Sequence, residues 1–333
     1  MLEPLARQET IQEADVATLQ EPKFVYMGGK LRLWNEALLH IGCEAFTRGL
    51  SVFEGITGFW QPDGRFAMVM LRRHYERLRR SARLLHIPFL TTYEEYEGAL
   101  DELIGALVEP GRNMWARTTL YVTEGHWGEG TVADLAVTAY HHDTPVSPPI
   151  NLGVSTWQRS ADLSLPARIK TGTNYQAGRL ARIEGRARGC QDMVLLNQWG
   201  RVSEATGSCV LMVREGTVCT PPATEGALEG ITLDVVEALA HSMNIAFIRR
   251  PIDRTELLVA DEIALCGSLA VVILAKSIDG LPLPEASPIL TALQTRYLEV
   301  VTGTVPHPFV KLSILPSCSA SKPAEAPGVA ASR

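Results

Sequence analysis

The sequence is short of lysine. Of its 31 basic residues only six are lysine, and the rest are arginine. Its six cysteines, Cys43, Cys190, Cys209, Cys219, Cys266 and Cys318, form no CxxC pair. That scatter argues against a disulfide framework or a zinc site and fits a reducing cytosol. Long apolar runs are missing too. The most apolar stretch, IALCGSLAVVILA at 263–275, is too short to span a bilayer. The opening MLEPLARQETIQEADVATLQ lacks the apolar centre of a signal peptide. Positive charge is not in excess: a net charge of −6 opposes steering to nucleic acid or an anionic membrane. Neither dinucleotide-binding G-x-G-x-x-G nor a phosphate-loop motif occurs, and EGHWGEG at 124–130 fits neither. No G-x-S-x-G elbow is present. In YHHD, His141 and His142 would point to opposite faces of a strand, so no shared metal is expected and both read as solvent-facing. What remains is a soluble, cytoplasmic protein of 333 residues, 46% hydrophobic and 20% charged, long enough for two domains.

Residues 1–21 are polar and acidic and are expected to form an N-terminal arm. KFVYMGGKLRLW predicts a hairpin turning at Gly28-Gly29, and LSVFEGITGFW with RFAMVML a second one around QPDG. Leu71, Tyr75, Leu78, Ala82 and Leu85 recur at helical spacing. The opposite face of that helix carries Arg72, Arg73, Arg77, Arg79, Arg80 and Arg83, expected to be mostly solvated. TYEEYEGALDELIGALVEP predicts another helix, stopped by Pro110, and MWARTTLYVT and ADLAVTAYHH predict strands. DTPVSPP, 143–149, is the expected linker. Beyond it strands and helices alternate. Asn174 is expected to cap a helix closed by Gly189, hairpins turn at Trp199-Gly200 and Glu215-Gly216, and a helix opens after Gly230. AFIRRPI, EIALCG and VVILAKSI predict strands, and PILTALQTRYLEVVTG a last helix. The Ser/Ala/Pro-rich tail, 313–333, is expected to be disordered.

Four features carry chemistry. Lys170 stands among Arg168, Arg179, Arg182, Arg186 and Arg188. An amine can lose its proton and attack a carbonyl, which a guanidinium cannot. Glu204 ends the hairpin GRVSEATGS. In LEGIT, 228–232, Gly230 precedes a helix and leaves free amides near Ile231 and Thr232, an anion or phosphate cradle. Arg72 or Arg73 can add a fixed positive charge. Each alone is ordinary. Together, an imine-forming lysine, a carboxylate for a protonated ring nitrogen and a phosphate cradle are what pyridoxal 5'-phosphate (PLP) requires.

The order of blocks RGLSVFEGI (48–56), LRRHYERLRRSA (71–82), VSTWQRS (154–160), KTGTNY (170–175), GRVSEATGS (200–208), LEGIT (228–232), ELLVADEIALCGSLA (256–270) and IDG (278–280) resembles the fold-type IV PLP enzymes, the class IV aminotransferases. The resemblance runs from about Phe24 to Gly303 and is nearest to branched-chain amino acid aminotransferases. It implies an α/β (α+β) chain of two domains, residues 22–142 and 150–312, with the cofactor between them. It makes Lys170 the Schiff-base lysine, Glu204 the partner of the pyridine nitrogen and Tyr175 the partner of the ring hydroxyl. Arg72, Ile231 and Thr232 become phosphate ligands, Leu228 packs on the ring, and Ser268 lies near the phosphate and substrate carboxylate. The implied substrate residues are Arg48, Phe53, Trp115, Arg117, Ser268 and Leu269.

Departures cluster on the substrate side. Arg48 replaces a usual tyrosine, Trp115-Ala116-Arg117-Thr118 replaces Tyr-Ile-Arg-Pro, and Gly267-Ser268-Leu269 replaces Gly-Thr-Ala. Leu233 and Cys209 replace a usual arginine and asparagine. The implied activity is ping-pong transamination between a branched-chain or other hydrophobic amino acid and a 2-oxo acid such as 2-oxoglutarate, in a homodimer. The same scaffold supports (R)-selective amine transaminases, D-amino acid transaminases and aminodeoxychorismate lyase. A non-catalytic binding protein would need neither Lys170 nor Glu204.

Overall fold

The computed structural model describes residues 20–142 and 146–318. Residues 1–19 of the expected arm, 143–145 of the linker and 319–333 of the tail lie outside it.

The chain runs β1 (Phe24–Met27), β2 (Leu31–Leu33), α1 (Glu44–Thr47), β3 (Ser51–Trp60), β4 (Phe66–Val69), α2 (Leu71–Leu84), α3 (Tyr93–Leu107), β5 (Met114–His126) and β6 (Glu129–His141). After the linker come β7 (Ile150–Gln158), α4 (Gln176–Ala187), β8 (Asp192–Leu196), β9 (Val202–Ala205), β10 (Cys209–Arg214), β11 (Thr217–Thr220) and α5 (Ile231–Ser242). Then follow β12 (Phe247–Arg249), α6 (Arg254–Leu257), β13 (Glu262–Gly267), β14 (Val271–Ile278), β15 (Leu281–Pro282), α7 (Pro288–Val301) and β16 (Leu312–Ile314). Two sheets result: an antiparallel one, β16-β4-β3-β5-β6-β1-β2, and a mixed one, β12-β11-β10-β13-β14-β7-β8-β9 with β15 paired to β14, in which β11·β12, β14·β7 and β7·β8 are parallel.

Local chemistry explains most of these elements. The Met27 N–H donates to Lys30 O at 3.0 Å across Gly28-Gly29, both at positive φ, as a two-residue hairpin turn demands. Thr92 caps α3 by accepting from the Glu95 N–H (3.2 Å), while the Glu95 carboxylate accepts from the Thr92 N–H (2.8 Å). Against the first sheet, α2 and α3 bury Leu71, Leu78, Leu100, Leu103 and Ile104 over Ile56, Phe66 and Met114, each contributing about 1.5–3 kcal/mol. A second core joins α5 and α7 to β10 and β13 through Val235, Leu239, Leu293, Leu211 and Ala264.

Two expectations are corrected. Residues 313–318 are not disordered: β16 pairs with β4, Ser317 bonds the Asp101 carboxylate (2.9 and 2.8 Å) and Cys318 is buried. Apolar Leu315 and Cys318 have a groove on the first sheet to fill, which tail composition does not reveal. Asn174 does not cap α4. A 3-10 turn over Gly172–Tyr175 precedes that helix, and the Asn174 amide donates instead to Pro166 O and Ile169 O, both at 2.9 Å. The arginine face of α2 is mostly solvated as expected, with Arg77 the buried member of the six.

Candidate active site

A cavity of about 840 Å³ lies between the two sheets. Its floor is Lys170, which α2 and the first sheet hold from behind. The Lys170 N–H donates to Ser81 Oγ of α2 at 3.1 Å, and Lys170 O accepts from the Phe53 N–H of β3 at 2.9 Å. The amine is thus the free end of a pinned residue. Its Nζ donates to Tyr175 Oη at 2.9 Å and lies 5.0 Å from the Phe53 ring centroid. Among the described residues no carboxylate pairs with it.

Across the cavity, Glu204 on β9 is buried. Its Oε2 accepts from the Leu228 N–H at 2.9 Å, and its Oε1 is 3.0 Å from Arg159 Nη2. Arg159 is itself fixed by donating to Asn174 O at 2.6 Å. The carboxylate therefore holds one orientation. Leu228 leads to Gly230, where α5 begins. A Cβ there would sit 2.7 Å from Cys209 Sγ, so only glycine lets the helix start this close to β10. The first amides of α5, at Ile231 and Thr232, have no intrahelical acceptor and line the cavity.

Arg77 stands beside that helix end, donating to Glu229 O at 2.6 Å. Glu54 on β3 grips it from the other side with 2.8 and 2.7 Å bonds and also accepts from His74 Nδ1 at 2.7 Å. Burial would raise the Glu54 carboxyl, but Arg77 and His74 outweigh it and hold it at about 2. Burial lowers His74 below its ordinary value, against the pull of Glu54. The Glu54–Arg77 pair is therefore charged and desolvated, and its geometry is fixed.

Most of the residues named from the sequence meet in this cavity. Phe53, Trp115, Arg117, Lys170, Tyr175, Glu204, Leu228, Ile231, Thr232, Ser268 and Leu269 all line it. Two do not. Arg72 lies in a separate groove with Arg73, Asp234 and Phe309, its guanidinium 3.9 Å from the Tyr93 ring centroid. Arg77, five residues on, lines the cavity instead. Arg48 faces away, paired with Glu44 at 3.1 Å and stacked 4.7 Å from the ring of Trp127. His141 and His142 do not face solvent freely: each buries one ring nitrogen without a hydrogen-bond partner, and His142 lines the cavity. No local pattern in the sequence marks Arg159 or Glu54, whose partners lie elsewhere in the chain.

The α+β fold and this cleft, with a pinned lysine facing a fixed carboxylate beside a bare helix end, define an enzyme site of the imine-forming kind. A family model for the class IV amino-transferases matches residues 51–278, and the chain belongs to that family. It is 28% identical over 297 residues to the branched-chain-amino-acid aminotransferase of Salmonella typhimurium, across 86% of this chain and 95% of the relative. Among solved structures it is similar to the branched-chain aminotransferase of Thermoproteus uzoniensis with norvaline (TM-score 0.83, 29% identity, 88% of this chain and 99% of that one). It is also similar to the enzyme of Thermobaculum terrenum in its PLP form (TM-score 0.78, 32% identity, 85% and 95%).

Proposed function

We propose that this chain is a PLP-dependent transaminase moving an amino group between a branched-chain or other hydrophobic amino acid and a 2-oxo acid such as 2-oxoglutarate. The observation that carries the reading is the meeting of Lys170, Tyr175, Glu204, Arg77 and the α5 N-terminus in one cavity. The donor set fits the cofactor: an amine 2.9 Å from a phenol, a fixed carboxylate, and a buried guanidinium beside free helix amides. When bound, PLP supplies an aldehyde for amine exchange and a ring that accepts electrons from the substrate's α-carbon.

The chain's residues do the rest. Lys170 Nζ would hold the cofactor and, once released by the donor amine, would carry the proton from the substrate's α-carbon to the cofactor's former aldehyde carbon. Tyr175 Oη orients that amine and takes the ring hydroxyl. Glu204, with both oxygens already directed, keeps a proton on the ring nitrogen. Arg77, Thr232 and the Ile231 and Thr232 amides would hold the phosphate, with Ser268 lining the same cavity and Leu228 available to pack on the ring. Phe53, Trp115 and Leu269 shape the substrate wall. Arg117, whose pKa is lowered by burial, lies 3.8 Å from the Phe53 ring centroid and has no carboxylate partner among the described residues, so it is placed to take a substrate carboxylate.

Arg48 fits a homodimer. It stacks on Trp127, 77% exposed, and Phe46, two residues before it in the chain, is 66% exposed. Exposed aromatic side chains of this kind suit a contact that carries Arg48 to a second copy's cavity. Six free, buried cysteines agree with a cytoplasmic setting. A donor panel tests the reading. L-valine should convert the bound cofactor to its amine form. Conversion only by D-alanine or (R)-1-phenylethylamine, or pyruvate release from aminodeoxychorismate, would replace the proposed substrate.

A further inference from the structure

The chain carries a net charge of −6, yet its cavity is lined by six cationic side chains, Arg77, Arg117, Lys170, Arg179, Arg182 and Arg186, against two carboxylates, Asp192 and Glu204. Three of the six come from one helix. Arg179, Arg182 and Arg186 stand at i, i+3 and i+7 along the cavity side of α4. Like charges at such spacing repel, so the stripe costs the helix stability.

We infer that this stripe is an entry site for dicarboxylate substrates, deepening the transaminase reading on which it rests. Arg182 is the fixed centre: its Nε donates to Thr206 Oγ1 at 2.7 Å and its Nη2 to Asp192 Oδ2 at 3.2 Å. Its guanidinium lies over bare backbone, 3.9 Å from where a Cβ of Gly207 would be. Gly178 seats the helix there, since a Cβ would come 2.8 Å from Thr206 O. Arg179 and Arg186 flank this centre, exposed, with no ion-pair or hydrogen-bond partner among the described residues. Asp192 neutralises Arg182 and leaves the flanking pair as unspent charge.

The ligand class follows from charge. Every amino or oxo acid brings one carboxylate at its reacting end. A dicarboxylate brings a second, feels twice the attraction to the stripe, and can be held at the mouth while the first end enters. Steering of this kind acts on capture and is screened by salt over a Debye length of about 8 Å at physiological ionic strength.

The test uses the holoenzyme and the double variant Arg179→Ala/Arg186→Ala, which spares the tethered Arg182. Against 2-oxoglutarate, kcat/KM should fall about tenfold, with kcat within about twofold. Against the monoanion 4-methyl-2-oxopentanoate it should fall less than about threefold. The wild-type loss of kcat/KM for 2-oxoglutarate between about 20 and 300 mM NaCl should flatten in the variant. Arg179→Lys/Arg186→Lys should retain it. Equal losses on both acceptors, an unchanged salt response, or a dimer that dissociates on sedimentation would overturn the entry site. Calorimetry with glutarate, which cannot react, reads the stripe separately. Weaker glutarate binding by the alanine variant supports the site even if no oxo acid turns over, and equal binding refutes it.

Discussion

Arg77 and Glu54 form a two-bond ion pair, 2.8 and 2.7 Å, at the seam between the first sheet and the cavity. Glu54 is fully buried and Arg77 nearly so. One face of the guanidinium is spent on structure, and Nη1, bonded to Glu229 O, sits beside the α5 N-terminus. The pair thus links the folding core to the proposed phosphate site.

Glu54→Gln should cost about 3–5 kcal/mol at pH 7, because it leaves Arg77 buried without its charge partner. The pH dependence has a definite sign. A carboxyl held at about 2, against 4.5 ordinarily, contributes stability above pH 4.5 that is lost as pH falls toward 2. Urea titrations of the wild type should therefore show an acid slope over that window, and the variant should show less of it. Parallel slopes would mean that Glu54 is not ionised in the fold.

Arg77→Met should weaken PLP binding far more than Arg72→Met, since only Arg77 reaches the cavity. Removal of a buried hydrogen-bonded charge partner costs about 2–5 kcal/mol of affinity. Cofactor titration of the apoprotein measures it, and equal losses from the two variants would restore Arg72 to the site.

Lys170→Ala should lower turnover about 10³-fold or more, because the proton-moving amine is gone. Glu204→Gln should keep the cofactor bound while kcat collapses, since the amide no longer favours a proton on the ring nitrogen. Steady-state rates together with cofactor content per chain separate the two. An unchanged kcat in the Glu204 variant would remove the electron-sink role.

Ending the chain at residue 311 should destabilise the first sheet rather than trim a loose tail. It removes β16 from the edge of β4 and takes Leu315 and Cys318 from the core. The two side chains alone account for about 2–4 kcal/mol. A melting temperature equal to that of the intact chain would contradict the packing of β16.

The sequence made some of this legible and hid the rest for physical reasons. The hairpin at Gly28-Gly29, the helix over Leu71–Leu84 and the bare start of α5 are local, written in turn residues and periodicity. Lys170 stood out because a guanidinium cannot do an amine's work. Arg77 was hidden because α2 has two buried seams. The apolar one, Leu71, Tyr75, Leu78 and Ala82, was legible. The polar one beside it, His74, Arg77 and Ser81, is also spaced by three and four, but only the positions of Glu54 and Lys170 show what it is for. Arg159 and Glu204 are far apart in sequence, and their pairing depends on how β7 leads into the loop beside β9. Arg48 lies outside the cavity because it pairs with Glu44 and stacks on Trp127, a ring distant in sequence that the local pattern does not announce.

The central claim is that Lys170 carries PLP and exchanges it for a substrate amine. The most direct measurement is the absorbance spectrum of the purified, PLP-incubated protein before and after L-valine, with no oxo acid present. A visible cofactor band is expected that Lys170→Ala alters and that bleaches to the amine form in the wild type. No band after incubation with PLP, or a band indifferent to Lys170, would contradict it.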